Sequence, residues 1–409
     1  MIGTYWKLGW RNLFRNTRRS FIAGTAIGMG LASLIFTDAM LRGMKTNMIQ
    51  AGTATFLGEA QIHRKGYRNS PEVEETITRA RSLLDSLRSE PLIDAVAPRV
   101  MSFAMLTSPS QVQAVQMVGI DPEYEPALSK TDEALVEGAY LQSRDARNVL
   151  IGRKLADILE IGLNDRVVLT VSEAGTGDLS QQLLQVGGIF QFNQKEMDEG
   201  MVFVPIGLAQ SMLNVGQDIH EAAIRFVRSG IAQQRPPSLW KPYNTGRLEL
   251  TGWQELLPQL EAALALSDFS TYIVGLILLG VVALSIINTL FMALHERMFE
   301  FGVLRAVGTR PSGVAQLISY ESVALAALSI GIGAVLGVAV TGLTIHTGID
   351  YRGIEFAGVT FQSVIYPELH WRQFVTFPFW VLVLTVVVGL YPSVHAARLN
   401  PSKAIRKSI

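Results

Sequence analysis

The sequence predicts an α-helical membrane protein with four transmembrane helices and a large α+β periplasmic domain between the first and second. Three observations carry this reading: four charge-free apolar stretches, basic residues gathered on three of the flanking segments, and mixed strand and helix patterning over residues 44–268. The bulk numbers agree. The chain has 409 residues, 49% of them hydrophobic and 17% charged, and its mean hydropathy is +0.28. Such a mixture suits a membrane anchor joined to a water-exposed domain.

Residues 1–19 alternate Trp6, Leu8, Trp10, Leu13 and Phe14 with Lys7, Arg11 and Arg15. That pattern fits an interfacial amphipathic helix on the cytoplasmic side, aromatics among headgroups and bases toward phosphates. A basic topogenic flank is the plainer reading. The first span, 20–43, contains SFIAGTAIGMGLASLIFT and is rich in glycine (Gly24, Gly28, Gly30). Its rival is a cleaved signal peptide, opposed by the long polar lead and the lack of a small-x-small site after Thr37. Asp38 and Arg42, four apart, are placed to pair at its outer end.

The other spans are 269–294, 313–345 and 374–392, each able to supply the roughly 20 apolar residues that cover a hydrocarbon core. Basic residues set their direction. Lys7, Arg11, Arg15, Arg18 and Arg19 precede the first span; Arg297, Arg305 and Arg310 lie between the second and third; Arg398, Lys403, Arg406 and Lys407 close the tail, 393–409. The positive-inside rule makes these sides cytoplasmic, with both termini inside, and puts 44–268 and the loop 346–373 outside. No span carries a buried charge of the kind that marks a polar conduction path. In the third span Gly331, Gly333, Ala334, Gly337 and Gly342 favour close helix packing, within the chain or across a dimer.

In 44–268, PEVEETITRARSLLDSLRSE (71–90) has helical spacing with Pro71 at its start. QVQAVQMVGID alternates as a strand. NVLIGRKLADILEIGLNDRVVLTVSE reads as strand, short helix, glycine-closed turn and strand. LLQVGGIFQF, MVFVP and EAAIRFV are further strands, GLAQSMLN a short helix, and GWQELLPQLEAALAL a helix leading into the second span. Pro236-Pro237 and the run to Asn244 mark a loop and a possible boundary between two lobes. SEAGTGDLSQQ (172–182) reads as a simple turn between strands.

Chemistry is sparse. There is no HExxH, GxSxG or Walker A motif, and His63, His220, His295, His346, His370 and His395 are scattered. Cysteine is absent, which excludes disulfides, thiolate metal sites, Cys nucleophiles and a lipidated cysteine. With 35 basic and 35 acidic residues, net charge predicts no nucleic-acid partner. No catalytic, cofactor or metal residues are assigned, and an enzyme is not indicated.

The densest local pattern is HERMFEFGVLRAVGTRPSGVAQLISYES. From His295, the apolar Phe299, Val303 and Val307 recur every fourth residue, with Leu304 broadening the stripe. A short helix ending at Gly308 and a second one capped by Ser312 are expected. Such a helix across the membrane surface offers a handle to a cytoplasmic partner; a solvated loop is the alternative.

This segment, the tail YPSVHAARLNPSKAIR and the opening YWKLGWRNLFRNTRRS resemble the FtsX/MacB/LolC superfamily of ABC-transporter permeases. VGID, VLIGRKLADILEIGLNDRVVLTV and VGGIFQFNQKEMDEGMVFVPIGLAQSML resemble the periplasmic core of the LolC/LolE and MacB permeases. The resemblance implies a MacB/LolC-like (type VII ABC) fold and one half of a dimeric permease, completed by a second copy or paralogue. A separate cytoplasmic ABC ATPase dimer is implied, carrying ATP and Mg. By similarity the coupling segment, 295–312, holds Glu296, Arg297, Glu300, Gly302, Leu304, Arg305, Ala306, Gly308 and Thr309. Phe301 stands where the family usually has Ile. The work implied is mechanotransmission, from ATP-driven movement below to the domain outside.

Within the superfamily, domain size, a separate ATPase and the EAQIHRKGY opening resemble the LolC/LolE lipoprotein-releasing permeases of the bacterial inner membrane. A periplasmic carrier and membrane lipid would then be partners. The alternatives are a MacB-like efflux permease with a periplasmic adaptor, exporting peptides, toxins or antibiotics, and a signalling or regulatory permease of the FtsX kind.

Overall fold

The structure, a computed structural model, describes Lys7, Trp10, Arg11, Arg15 and residues 17–397 except 145, 229, 357–358 and 361–363. Most of the expected interfacial helix and the basic tail residues Arg398, Lys403, Arg406 and Lys407 lie outside the described residues; Lys7, Trp10, Arg11 and Arg15 are helical. Two compact units form. One falls within Met1–Lys45, Ala265–Tyr351 and Ser363–Ile409, the other within Thr46–Leu264 and Arg352–Gln362.

Among the described residues four helices are long and apolar enough to cross a membrane, as the sequence predicts. They lie in α1 (Thr17–Gly52), α9 (Pro258–Glu296), α11 (Pro311–Thr347) and α12 (Gln373–Ala397). Ala23, Ile27, Leu31 and Ile35 recur every fourth residue and so share one face of α1. That face packs with Val282, Ile286 and Leu290 of α9, Ala324 and Leu325 of α11, and Val381 of α12. In lipid the hydrophobic effect does not drive such contacts; close van der Waals packing does, and small residues permit it. A Cβ on Gly333 would lie 2.7 Å from the Gly28 carbonyl oxygen, and one on Gly30 would lie 2.3 Å from Val282. Gly333 and Gly337 therefore seat α11 on α1, whereas Gly331 and Gly342 face open space. Asp38 accepts from Arg42 Nε at 2.7 Å and from Gln373 Nε2 at 2.7 Å, tying α1 to α12.

The second unit is a ten-stranded sheet. Its strands are β1 (Ala60–Arg64), β2 (Ile93–Thr107), β3 (Val112–Ile120), β4 (Leu135–Gly138), β5 (Asn148–Gly152), β6 (Arg166–Ser172), β7 (Leu179–Phe190), β8 (Met201–Pro205), β9 (Glu221–Phe226) and β10 (Leu248–Gly252). The order is β10-β1-β9-β2-β3-β8-β5-β7-β4, and β6 pairs both β2 and β7. Strands β2, β3, β8, β5, β7 and β6 thus close a circuit of hydrogen bonds, with β9, β1 and β10 extending from β2. The early half of β2 pairs with β9 and its later half with β3 and β6. Inside, Phe56, Phe190, Phe192 and Phe203 pack in tilted and edge-to-face pairs with ring centroids 5.0–6.4 Å apart among Val118, Ile120 and Leu150. Strand β8 is buried at every position, which explains the unbroken apolar run MVFVP.

Six short helices accompany the sheet: α2 (Ala80–Arg88), α3 (Arg153–Leu159), α4 (Lys195–Gly200), α5 (Ile206–Leu213), α6 (Ile231–Gln234) and α7 (Pro237–Tyr243). A single turn, α8 (Trp253–Leu256), precedes α9.

Several local expectations are corrected. The helix expected over 71–90 is only α2, because Ile77 leaves the helical face to form a bridge with Ile219, its N–H 2.7 Å from that carbonyl oxygen. The expected loop after Pro236 is α7: Pro237 sits in its first turn, where no N–H is needed, and Leu239 and Tyr243, four apart, are buried. The helix expected through GWQELLPQLEAALAL breaks at Leu257, because a residue before proline is driven from the helical region. The turn after α3 takes its left-handed residues from Glu160 and Asn164 rather than Gly162. Residues 173–178 link β6 to β7 as a hairpin, and its tip is docked: Gly175 N–H donates to Glu74 at 2.9 Å and Ala174 N–H to the Leu213 carbonyl at 2.9 Å.

Candidate functional site

Between α9 and α11 the chain forms α10 (Met298–Ala306). Gly308 closes it at φ 102, a backbone conformation that side chains disfavour. Helix α11 then begins with Arg310 as the extended cap residue and Pro311 in its first turn, so the cap is Arg310 and not the expected Ser312. One face of α10 is buried by Phe301, which packs with Leu294, Val314, Leu317, Ile318 and Ala396. The stripe marked by the sequence points the other way. Phe299, Val303, Leu304 and Val307 are exposed, Val307 at 82%.

Charges fasten the segment to its surroundings. Arg297 donates to Glu300 at 2.9 Å and to both oxygens of Glu321 at 2.8 and 2.7 Å, and its guanidinium sits over the Phe301 ring. Glu300 also accepts from Arg15. Burial pushes the Glu300 carboxyl up, but Arg297 and then Arg15 overcome this and hold it below the ordinary carboxylate range. Arg305 donates to the Thr309 carbonyl at 3.2 Å, across the turn that Gly308 makes. The residues named by resemblance therefore divide. Arg297, Glu300, Arg305 and Thr309 hold the segment together and Gly302 is buried on the packed face, while Glu296, Leu304, Ala306 and Gly308 are on the surface. An exposed apolar row on a braced helix suits a protein contact.

The second assembly was not read from the sequence, nor was β2, the strand that carries it. The helical run from Ser20 continues to Leu57, ending in a π-helical turn at Thr53–Leu57. Such turns are frequent at functional positions. Gly58, at φ 78, ends it where a Cβ would press on the Ile224 carbonyl. Beneath this turn lies Arg99, with no solvent exposure. It holds both oxygens of Glu125 at 3.1 and 2.6 Å and Glu221 at 2.7 Å. It also donates to the Phe56 carbonyl, and its guanidinium carbon is 3.8 Å from the Phe56 ring centroid. Glu125 further accepts from Ser129 at 2.7 Å, and Glu221 lies 3.3 Å from His63 Nε2. Burial pushes the Glu221 carboxyl up; Arg99 and then His63 reverse this and hold it low. A buried ion pair adds little net stability yet costs much when broken, because removing one partner leaves a buried charge uncompensated. The signal in the sequence was one arginine inside the apolar run AVAPRVMSFAML.

No group of His, Cys, Asp or Glu suited to a metal ion occurs among the described residues.

Residues 20–235 match the family described as MacB-like periplasmic core domain, and residues 272–401 the FtsX-like permease C-terminal family. The lipoprotein-releasing system transmembrane protein LolE of Haemophilus influenzae is 22% identical, with 93% of this chain and 92% of that one covered. LolC of the same system in Neisseria meningitidis serogroup B is 21% identical, covering 96% and 95%. The macrolide export ATP-binding/permease protein MacB 2 of Aeromonas hydrophila subsp. hydrophila is 21% identical, covering 95% of this chain and 58% of that one. Among solved structures, the periplasmic region of MacB from Actinobacillus actinomycetemcomitans matches with 15% identity and a TM-score of 0.36, over 52% of this chain and 95% of that one. Family membership implies an ABC ATPase partner. With its four apolar helices and MacB-like core, the chain belongs to the FtsX/MacB/LolC-like permease superfamily and is an ABC-transporter permease.

Proposed function

We propose that the chain extracts lipoproteins from a bacterial inner membrane and passes them to a soluble periplasmic carrier, driven by a separate cytoplasmic ATPase dimer. The observation that carries this cargo is the extent of likeness to proteins of a lipoprotein-releasing system, over 93% of this chain and 92% of LolE.

In this reading both termini are cytoplasmic and α10 is where the ATPase docks. Phe299, Val303, Leu304 and Val307 supply the apolar contact, with Glu296, Ala306 and Gly308 at its rim. Arg297, paired with Glu321 and braced by Glu300, keeps α10 fixed to α11, Gly302 lies on the buried face, and Arg305 with Thr309 shapes the turn, so displacement of the handle becomes displacement of a span. ATP and Mg belong to the partner. A second copy or a paralogue completes the permease. The helical run ending in the turn at 53–57 delivers the motion to Arg99 and thus to the sheet.

The test is release from proteoliposomes holding the chain, its co-purified ATPase and a triacylated lipoprotein. ATP should move lipoprotein into the soluble phase when a periplasmic extract is present. Release no greater than without ATP overturns the reading. Stimulation of ATP hydrolysis by a macrolide or exported peptide, without lipoprotein release, would assign an efflux role instead.

A further inference from the structure

A cavity of about 700 Å3 opens in the α+β domain beside α2. Four arginines line it, Arg79, Arg81, Arg88 and Arg144, against three carboxylates. Each carboxylate already has an internal partner. Asp121 lies 3.2 Å from Arg144, Asp218 accepts the Thr76 hydroxyl at 3.0 Å, and Asp85 is 4.0 Å from Arg88. Arg88 also stacks on the Tyr124 ring at 3.9 Å. Among the described residues no carboxylate pairs with Arg79 or Arg81, and both side chains are exposed.

The backbone adds to this positive end. Arg79, at φ 58, is the cap residue of α2 and gives no side-chain acceptor to its first N–H groups, and the first turn holds no acid. Free N–H groups and the helix dipole there favour negative charge.

The shape decides what kind of anion fits. The cavity follows α2 from Arg79 to Arg88 along the flank that carries Ala80, Arg81, Leu84 and Arg88. That lining covers about 13 Å of helix axis, at 1.5 Å per residue, so the cavity is a groove rather than a point. Arg81 and Arg88 are about 10 Å apart along the helix axis, at 1.5 Å per residue. That equals about three residues of extended chain. A lone phosphate is held best by donors converging on it; donors in a row match acidic side chains in a row. Buried Leu84, Ile206 and Ile219 give the cavity an apolar floor for the intervening side chains.

We propose that this groove binds an extended acidic peptide segment of a soluble partner protein, with Arg79 and Arg81 reading its carboxylates. The proposal is independent of the cargo, since it rests only on residues of the α+β domain.

The test uses the full chain in nanodiscs of zwitterionic lipid and a fluorescein-labelled hexaglutamate peptide, followed by anisotropy. The variant combines Arg81→Gln with Arg79→Asn, asparagine being tolerant of the left-handed backbone. Hexaglutamate should bind, weaken at high salt, and lose about ten-fold in affinity in the variant, as expected for a charge-assisted bond removed. Hexaglutamine should not bind. Lys154→Gln, at an ion pair elsewhere on the domain, should leave affinity unchanged, which separates a local site from general positive charge. Equal binding by the variant overturns the proposal, as does equal binding of hexaglutamine. Inorganic phosphate displacing the peptide at equal concentration would make this a simple oxyanion site, and arginine-dependent flotation with phosphatidylglycerol vesicles but no hexaglutamate binding would make it a lipid site; either refutes the peptide.

Discussion

Two charge clusters in this chain are built on opposite rules. In segment 295–311 the ion pairs are partly exposed, Glu300 at 42%, and the apolar stripe faces outward. Around Arg99 the charges are sealed in, and the Phe56 ring lies against the guanidinium. Exposed ion pairs contribute little and tolerate rearrangement; buried ones hold one geometry and fail badly when cut. The first arrangement suits a contact that is made and released, the second a joint that must not slip.

The largest effect expected from this contrast is at the joint. Arg99→Met leaves Glu125 and Glu221 buried without their cation, and should destabilise the α+β domain by about 3–5 kcal/mol in denaturant unfolding. The triple variant with Glu125→Gln and Glu221→Gln should recover much of that loss. A cost below about 1 kcal/mol for Arg99→Met would place the cluster with surface pairs and erase the contrast.

Next comes the helix contact. Gly333→Leu forces α11 from α1 and should cost about 1–3 kcal/mol by overpacking. Gly331→Leu, facing open space, should be silent in the same unfolding measurement. Equal losses would mean that the α1–α11 approach is not the tight contact.

At the handle, Val303→Asp with Val307→Asp should reduce co-purification of the ATPase about ten-fold or more, since a charge then faces an apolar contact. Glu300→Ala should matter less, with a stability change of about 0–1 kcal/mol. Loss of association from Glu300→Ala alone would shift the docking from the apolar stripe to the charges.

The smallest effect is in pH. His220 accepts from the Met101 N–H at 3.1 Å, and its Nε2 lies 2.9 Å from the Val73 carbonyl, the pattern of a neutral ring. Burial lowers its affinity for a proton below the ordinary histidine value of 6.5. The unfolded chain therefore takes up the proton first, and stability should fall as pH drops below 6.5 toward the lower folded value. Glu221, held low, adds a second loss starting below its ordinary 4.5 and continuing as pH falls through the folded value. His220→Gln should flatten the upper window and leave the lower one; an unchanged upper slope assigns it elsewhere.

How much was legible follows the range of the interactions. The spans were legible because one local property, apolar length, defines them. Strands β3 and β5 to β9 were legible where alternation or an apolar run survived in a short window. The joint was not, because Arg99 finds its carboxylates 26 and 122 positions away. Locally it looks like a charge and a proline interrupting a strand. Helix periodicity misled at 71–79 because Ile77 is buried by a bridge to distant Ile219. In α10 the periodic stripe was read correctly as apolar, but its direction was set by Phe301, whose neighbours come from α9, α11 and α12.

The proposed path of force, from α10 to Arg99, is open to hydrogen exchange on the permease–ATPase complex. Exchange at the amides of 53–57 and 125–129 should be compared with and without ATP and vanadate, in the wild-type chain and in Val303→Asp/Val307→Asp. A nucleotide-dependent change is expected at both segments in the wild type and none in the variant. No change in the wild type, or the same change in the variant, would contradict that path.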